Sequence, residues 1–257
     1  ASVLRGLDGG VKILSQLNMV LALLLMLFII AFGPTLEIFT SALSGAGAYL
    51  TELIPLSMPF GREDTNFSQG WTAFYWAWWI SWSPFVGMFI ARVSRGRTVR
   101  EFVISVILIP TTLTIIWMSA FGGTAISQVI ADAAAPVALA AQELKLFQMV
   151  ESFPLSDVLS LIGIVLVLVF FITSSDSGSL VVDTITAGGK TNAPKSQRVF
   201  WCSFEGIVAA VLLLVGGAES LGALQAMTVS TGLPFTIVLL IMCYSTWIGL
   251  SKEAKKL

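Results

Sequence analysis

The sequence predicts an all-α integral membrane protein, and three observations carry that prediction. Apolar residues make up 56 % of the 257 and charged residues only 11 %, with a mean hydropathy of +0.89, whereas a soluble domain carries about a quarter charged residues. The apolar runs are continuous and long rather than alternating, which fits spanning helices and excludes a porin-type barrel. Residues 71–89, WTAFYWAWWISWSPFVGMF, gather five tryptophans, a tyrosine and three phenylalanines in one stretch of spanning length. The net charge of −1 singles out no class of partner. The absence of histidine removes the usual metal ligand and the usual proton carrier near neutral pH. Cys202 and Cys243, near opposite helix ends, read as small apolar residues in a reduced setting, without a disulfide, metal or redox motif.

Taken in order, the chain opens at Ala1 in a polar, amphipathic stretch without an initiator Met or signal peptide, and is expected to be a piece of a longer protein. Six segments reach spanning length, at about 17–33, 71–91, 102–121, 155–173, 199–217 and 223–249. Between them, twelve of the 14 basic residues fall on one side: Arg5, Lys12, Arg92, Arg95, Arg97, Arg100, Lys190, Lys195, Arg198, Lys252, Lys255 and Lys256. Only Arg62 and Lys145 remain opposite, so the positive-inside rule puts both ends of the segment in the cytoplasm, in agreement with an even number of spans. Residues 34–58, bounded by Pro34 and by Pro55 and Pro59, are expected to form an amphipathic outer helix on the membrane surface or against a neighbouring subunit. Residues 124–147 are Ala-rich and predict a second surface helix broken at Pro136. Arg92, Arg95, Arg97 and Arg100 serve as a topology signal, or as a contact for anionic lipid or an acidic segment of a neighbouring chain.

Within the aromatic span, about 100° per residue places Trp71, Tyr75, Trp78, Trp82 and Phe89 on one narrow stripe. Trp82 lies roughly 16 Å beyond Trp71, near the bilayer midplane and away from the interfaces where tryptophan usually gathers. There it needs a partner for its indole N–H or a ligand for its ring face. Aromatic filling between helices is the plain alternative; a box of ring faces holding a cation is the sharper one.

Four polar clusters interrupt the spans. Ser81-Trp82-Ser83-Pro84 comes first, where Pro84 frees the carbonyl of Ile80. Pro110-Thr111-Thr112 with Thr114 is second, and Thr228, Ser230, Thr231, Gly232 and Pro234 form the fourth. The third, Thr173 to Ser179 at the inner end of its span, offers hydroxyl oxygens that together with an unwound carbonyl could hold Na+ without a carboxylate. The alternative is bonding back to i−4 carbonyls or gluing helices together. Glu205 is the one carboxylate clearly inside a span, a candidate for function or for an ion pair with nearby Arg198 at the inner rim.

Gly70 to Gly87 followed by Phe89-Ile90-Ala91-Arg92 and Ser94-Arg95-Gly96-Arg97, with Phe170 to Ser177, Arg198-Val199-Phe200-Trp201, Glu205-Gly206 and Thr231-Gly232-Leu233-Pro234-Phe235, resembles the betaine/choline/carnitine transporter family over essentially the whole chain. The resemblance implies twelve spans, ten of them in two inverted five-helix repeats of the LeuT-like fold. This chain would be the C-terminal half: residues 1–33 a cytoplasmic segment and the last helix of repeat one, 34–69 the outer helix and loop, 70–250 repeat two, and 251–257 a cytoplasmic tail. It further implies that Trp78, Trp79, Trp82 and Phe89 bind or guide the substrate, and that Thr173, Ser174 and Phe170 belong to a sodium site completed by the absent half. The family also implies a homotrimer in the cell (inner) membrane.

The expected function is import of a quaternary-ammonium osmolyte or precursor such as glycine betaine or choline, with Na+ as coupling ion and alternating access. Trp82 favours this sodium-coupled branch, since in the sodium-independent carnitine exchangers the third tryptophan of the box is replaced. A permanent cation cannot shed its charge, and ring faces select a large, weakly hydrated head over Na+ or K+. A sodium-independent exchanger is the nearest alternative, and a membrane sensor or scaffold a more distant one. No nucleophile–base pair, metal set or phosphate loop points to an enzyme.

Overall fold

A computed structural model describes residues 12–58, 60–190, 194–217 and 219–255. The expectations for Arg5, Pro59, Lys256 and the last residue of the tail lie outside these, as do the side chains of Arg92 and Glu219.

Helix α1, Lys12–Phe32, is almost wholly apolar and buries Leu25, Met26 and Ile29 on one face. A helix forms where one is expected after Pro34: α2, Thr35–Ser57, carries Glu37 in its first turn, where a carboxylate complements the helix dipole. Pro55 lies inside this helix rather than ending it. Arg62 donates from Nη1 to the carbonyls of Pro55 and Leu56, at 3.3 and 2.9 Å, and so covers the exposed C-terminal carbonyls. The guanidinium, paired with Asp64, holds that carboxyl below the usual carboxylate range.

Helix α3, Phe74–Val93, follows a π turn over Ser68–Ala73 and carries the aromatic run. Helix α4, Val99–Trp117, begins at a capping box in which Glu101 N–H donates to Thr98 Oγ1 and Thr98 N–H to Glu101 Oε2. A π turn at Met118–Gly122 links it to α5, Gly123–Ala131. Helix α6 spans Ser156–Thr186, α7 Lys195–Gly216 and α8 Glu219–Ala254.

Five helical stretches among the described residues are long and apolar enough to cross a membrane: Lys12–Phe32, Val99–Ala131, Ser156–Thr186, Lys195–Val215 and Gly222–Ala254. The chain is thus a multi-pass membrane protein. The sixth expected span, 71–91, forms a helix of sufficient length, yet its tryptophans, tyrosine, serines and proline keep it from qualifying on hydropathy.

Three further expectations are corrected. The fourth span does not end at 173 beside an unwound carbonyl; α6 runs unbroken to Thr186, because its hydroxyls bond to the helix's own carbonyls and to α7. Residues 124–147 are not a surface helix broken at Pro136. Helix α5 stops at Ala131, Pro136 opens a short turn, Thr124 is buried, and Ala135 and Val137 join the core with Leu25, Ile29, Leu159 and Leu166. Cys202 and Cys243 are free, but lie inside α7 and α8 rather than near helix ends. The core therefore sits where α1, α6 and the connection between α4 and α6 meet, while α3 packs chiefly against α8 and α6 also against α7.

Candidate functional site

Helix α3 turns two different faces to its surroundings. One, at i, i+4 and i+8, is Ala77, Ser81 and Phe85, and it packs on α8. There Gly232 permits close approach, since a Cβ on it would stand 3.1 Å from that of Ala77. Ser81 Oγ donates to the carbonyl of Thr228 at 3.1 Å and lies 3.3 Å from Thr231 Oγ1, while Phe85 meets Phe235 with centroids 6.1 Å apart. The first and fourth polar clusters thus form one interhelical clamp.

The aromatic stripe lies about 90° around the helix from this packing face. Trp71 stacks on Tyr75 at 5.8 Å and Tyr75 meets Trp78 edge-on at 5.6 Å. Trp82 follows with Phe85 at 6.0 Å. Ala77, Ser81 and Phe85 hold α3 on α8, so the stripe lies largely off the seam of this helix pair. Trp78, Trp79 and Trp82 stay 43, 65 and 41 % exposed, and Phe89 is half-buried. Among the described residues none of these three indole N–H groups has a hydrogen-bond partner. The Ile80 carbonyl freed by Pro84 is taken by Ser83 Oγ at 2.9 Å, which leaves the helix intact at the depth of Trp82.

Helix α6 carries the second predicted set. Thr173 Oγ1 donates to the carbonyls of Val169 and Phe170 at 2.9 and 3.1 Å, so its lone pairs point away from the helix. Ser174 is exposed and, among the described residues, its hydroxyl has no partner. The Phe170 side chain is also exposed. Helices α3 and α6 touch one another, so the aromatic and hydroxyl sets lie on adjoining elements.

Glu205 does not pair with Arg198. Its Oε2 accepts from Ser179 at 2.8 Å and from Ser175 at 3.3 Å. Arg198 instead donates from Nε to Asp183 Oδ2 at 3.2 Å; Asp183 is 2 % exposed, and its Oδ1 finds no partner among the described residues. Gln197 and Trp201 complete this contact through Thr186 Oγ1. Sequence reasoning flagged Glu205 and the hydroxyls separately and missed Asp183. The signal was an acidic residue ten positions after Thr173 on a helix expected to have ended.

The family model for the betaine/carnitine/choline transporters matches residues 1–255, which bears out the resemblance read from the signature. A glycine betaine/proline/choline transporter of Vibrio parahaemolyticus is 61 % identical over 254 residues, covering 99 % of this chain and 45 % of its own length. Glycine betaine transporter 1 of the same organism is 56 % identical, covering 98 % and 48 % respectively. A glycine betaine transporter of Acinetobacter baylyi is 43 % identical, covering 100 % and 39 %. The chain therefore spans about half the length of the curated relatives it matches.

Proposed function

The chain belongs to the betaine/carnitine/choline transporter family, and on that premise we propose that it forms part of a secondary transporter importing a quaternary-ammonium osmolyte, such as glycine betaine or choline, by Na+ symport. Its relatives are named as transporters, and the three cited here carry glycine betaine in their names. The observation that carries the reading is the uncovered aromatic stripe of α3. Trp78, Trp79 and Trp82 present ring faces while the helix is held from a different side by Ala77, Ser81 and Phe85. A trimethylammonium group cannot be neutralised and gains on the order of 1–2 kcal/mol from each desolvated ring face. Three such faces contribute about 3–6 kcal/mol of the roughly 8 kcal/mol that micromolar affinity requires. Phe89, further along the stripe, lines the route by which substrate reaches them.

Thr173 and Ser174 supply hard oxygens for Na+, with Phe170 beside them; the donor set suits a monovalent cation that prefers oxygen. The hydrogen bonds of Thr173 support this role, because a hydroxyl already donating to carbonyls turns its lone pairs outward. Alternating access moves this five-helix repeat against an inverted partner repeat, with the preceding helix α1 closing the first. In this reading α3 is the sixth span, carried across the membrane by its neighbours. Both ends of the segment then face the cytoplasm, the protein sits in the inner membrane as a homotrimer, and an N-terminal half completes both sites.

Uptake of radiolabelled glycine betaine by a full-length transporter carrying this sequence, reconstituted in proteoliposomes, tests the assignment. Imposed sodium gradients should drive accumulation, and Thr173→Ala with Ser174→Ala should remove the sodium dependence. Uptake that follows the substrate gradient alone would establish the sodium-independent exchanger instead.

A further inference from the structure

We propose that Glu205 is a positioning residue for the ion site on α6, and this role rests on the sodium assignment above. Of the hydroxyls between Thr173 and Thr186 on α6, most bond back to their own helix: Thr173 to Val169 and Phe170, Ser177 to Thr173, Thr184 to Leu180 and Thr186 to Val182. Ser175 and Ser179 behave differently. Both reach across to α7 and donate to the same oxygen, Glu205 Oε2, at 3.3 and 2.8 Å.

One acceptor shared by two donors a turn apart fixes two quantities at once. It sets the rotation of α6 about its axis, because the serines at i and i+4 share one face. It also sets the axial register, because the oxygen must sit between them. Seven residues before Glu205, two turns away on the same face of α7, Arg198 holds Asp183 at 3.2 Å. The two contacts run antiparallel along the helix pair and brace α6 at two levels.

Thr173 and Ser174 immediately precede the braced turn. About 100° of rotation separates each residue from the next, so a face of α6 held on α7 through Ser175 leaves Thr173 directed roughly 160° away and Ser174 about 100° away. Loss of the Glu205 contact frees the turn that carries the ion ligands without touching a ligand itself. The carboxyl oxygen of Glu205, carried on a stem long enough to reach α6, serves both hydroxyls. With two hydroxyl donors it is satisfied at Oε2, a requirement for a polar atom at that depth.

The experiment measures the sodium concentration for half-maximal glycine betaine uptake by the full-length transporter in proteoliposomes, for Glu205→Ala, Glu205→Gln and the pair Ser175→Ala/Ser179→Ala. Glu205→Ala should raise that concentration about fivefold or more, the scale of one lost net hydrogen bond. Apparent betaine affinity at saturating sodium should hold within about twofold, which a general loss of structure would not give. Glu205→Gln should restore near-normal sodium response, because its amide oxygen still accepts from both serines. The serine pair, which leaves the carboxyl in place, should reproduce the Ala defect and serves if Glu205→Ala is not recovered as a folded protein. Sodium-dependent uptake unaltered in Glu205→Ala, or in the serine pair, overturns the role of Glu205 alone. A Gln variant as impaired as Ala also overturns it, by making the charge the requirement. Sodium-independent uptake by the unsubstituted protein removes the ion assignment, and this role with it.

Discussion

Gly232→Ala probes how the aromatic helix is held. A methyl group on Gly232 would stand 3.1 Å from Ala77 Cβ, 3.2 Å from its Cα and 3.4 Å from its carbonyl oxygen. Two of these atoms are backbone, so a rotamer change cannot relieve the contact and α3 must move away from α8. Overpacking of this kind costs about 1–3 kcal/mol. The same movement stretches Ser81 Oγ from the Thr228 carbonyl, now at 3.1 Å, and from Thr231 Oγ1, now at 3.3 Å. Interhelical hydrogen bonds in membranes contribute on the order of 0.6 kcal/mol each, so the loss totals about 2–4 kcal/mol. Gly232→Leu should exceed this because the branched side chain finds no exit.

Ala77→Gly removes the nearest atom but leaves the Cα and carbonyl in place, and itself costs about 1 kcal/mol in a helix interior. The double variant should therefore be more stable than the sum of the two changes predicts, with a favourable coupling of about 0.5–1 kcal/mol. The assay is thermal unfolding of the full-length transporter in detergent, run as a double-mutant cycle, with betaine affinity measured alongside because Trp78 and Trp82 ride on the displaced helix. Equal stability of Gly232→Leu and the unsubstituted protein, or strictly additive effects with Ala77→Gly, would refute the packing argument.

Two other outcomes follow from the charged contacts. Arg198→Ala strands the buried Asp183 carboxylate and should destabilise the transporter by about 3–5 kcal/mol, whereas Arg198→Met with Asp183→Leu should come near neutral; thermal unfolding distinguishes the two, and equal losses would contradict the contact. The Arg62 guanidinium lowers the Asp64 carboxyl chiefly through their hydrogen bond. A lowered value contributes above the unfolded carboxyl's range near ~3.9 and is lost as pH falls through the folded one. Hydrogen exchange over residues 55–64 should thus be flat from neutral pH to about 4 and rise only below it, once corrected for intrinsic rates; loosening between pH 5 and 7 would count against the pair.

Much of the architecture was legible where one physical signal dominated. Continuous apolar runs located α1, α4, α7 and α8, Pro34 marked the start of α2, and the 3.6-residue period placed Trp71, Tyr75 and Trp78 in ring contact. Boundaries failed where polarity was mistaken for a helix end. Thr173 to Thr186 looked like an exit from the membrane because each hydroxyl lowers hydropathy, yet hydroxyls bonded to i−4 carbonyls keep a helix intact. Partner choice was not legible. Ser81 meets Thr228 across 147 positions, and Asp183 takes Arg198 although Glu205 is the more conspicuous acid. Periodicity gives the face of a helix but not the helix that covers it.

The central claim, that ring faces on α3 hold a permanent cation by its charge, is tested most directly by competition against radiolabelled glycine betaine with its carbon isostere, 3,3-dimethylbutanoate. The isostere keeps the shape and carboxylate but replaces the ammonium nitrogen with carbon. Two or three desolvated ring faces predict that it competes at least about thirtyfold more weakly than betaine, and that Trp79→Leu with Trp82→Leu narrows the gap by weakening betaine alone. Equal competition by betaine and isostere, or a gap unmoved by the tryptophan substitutions, would contradict it.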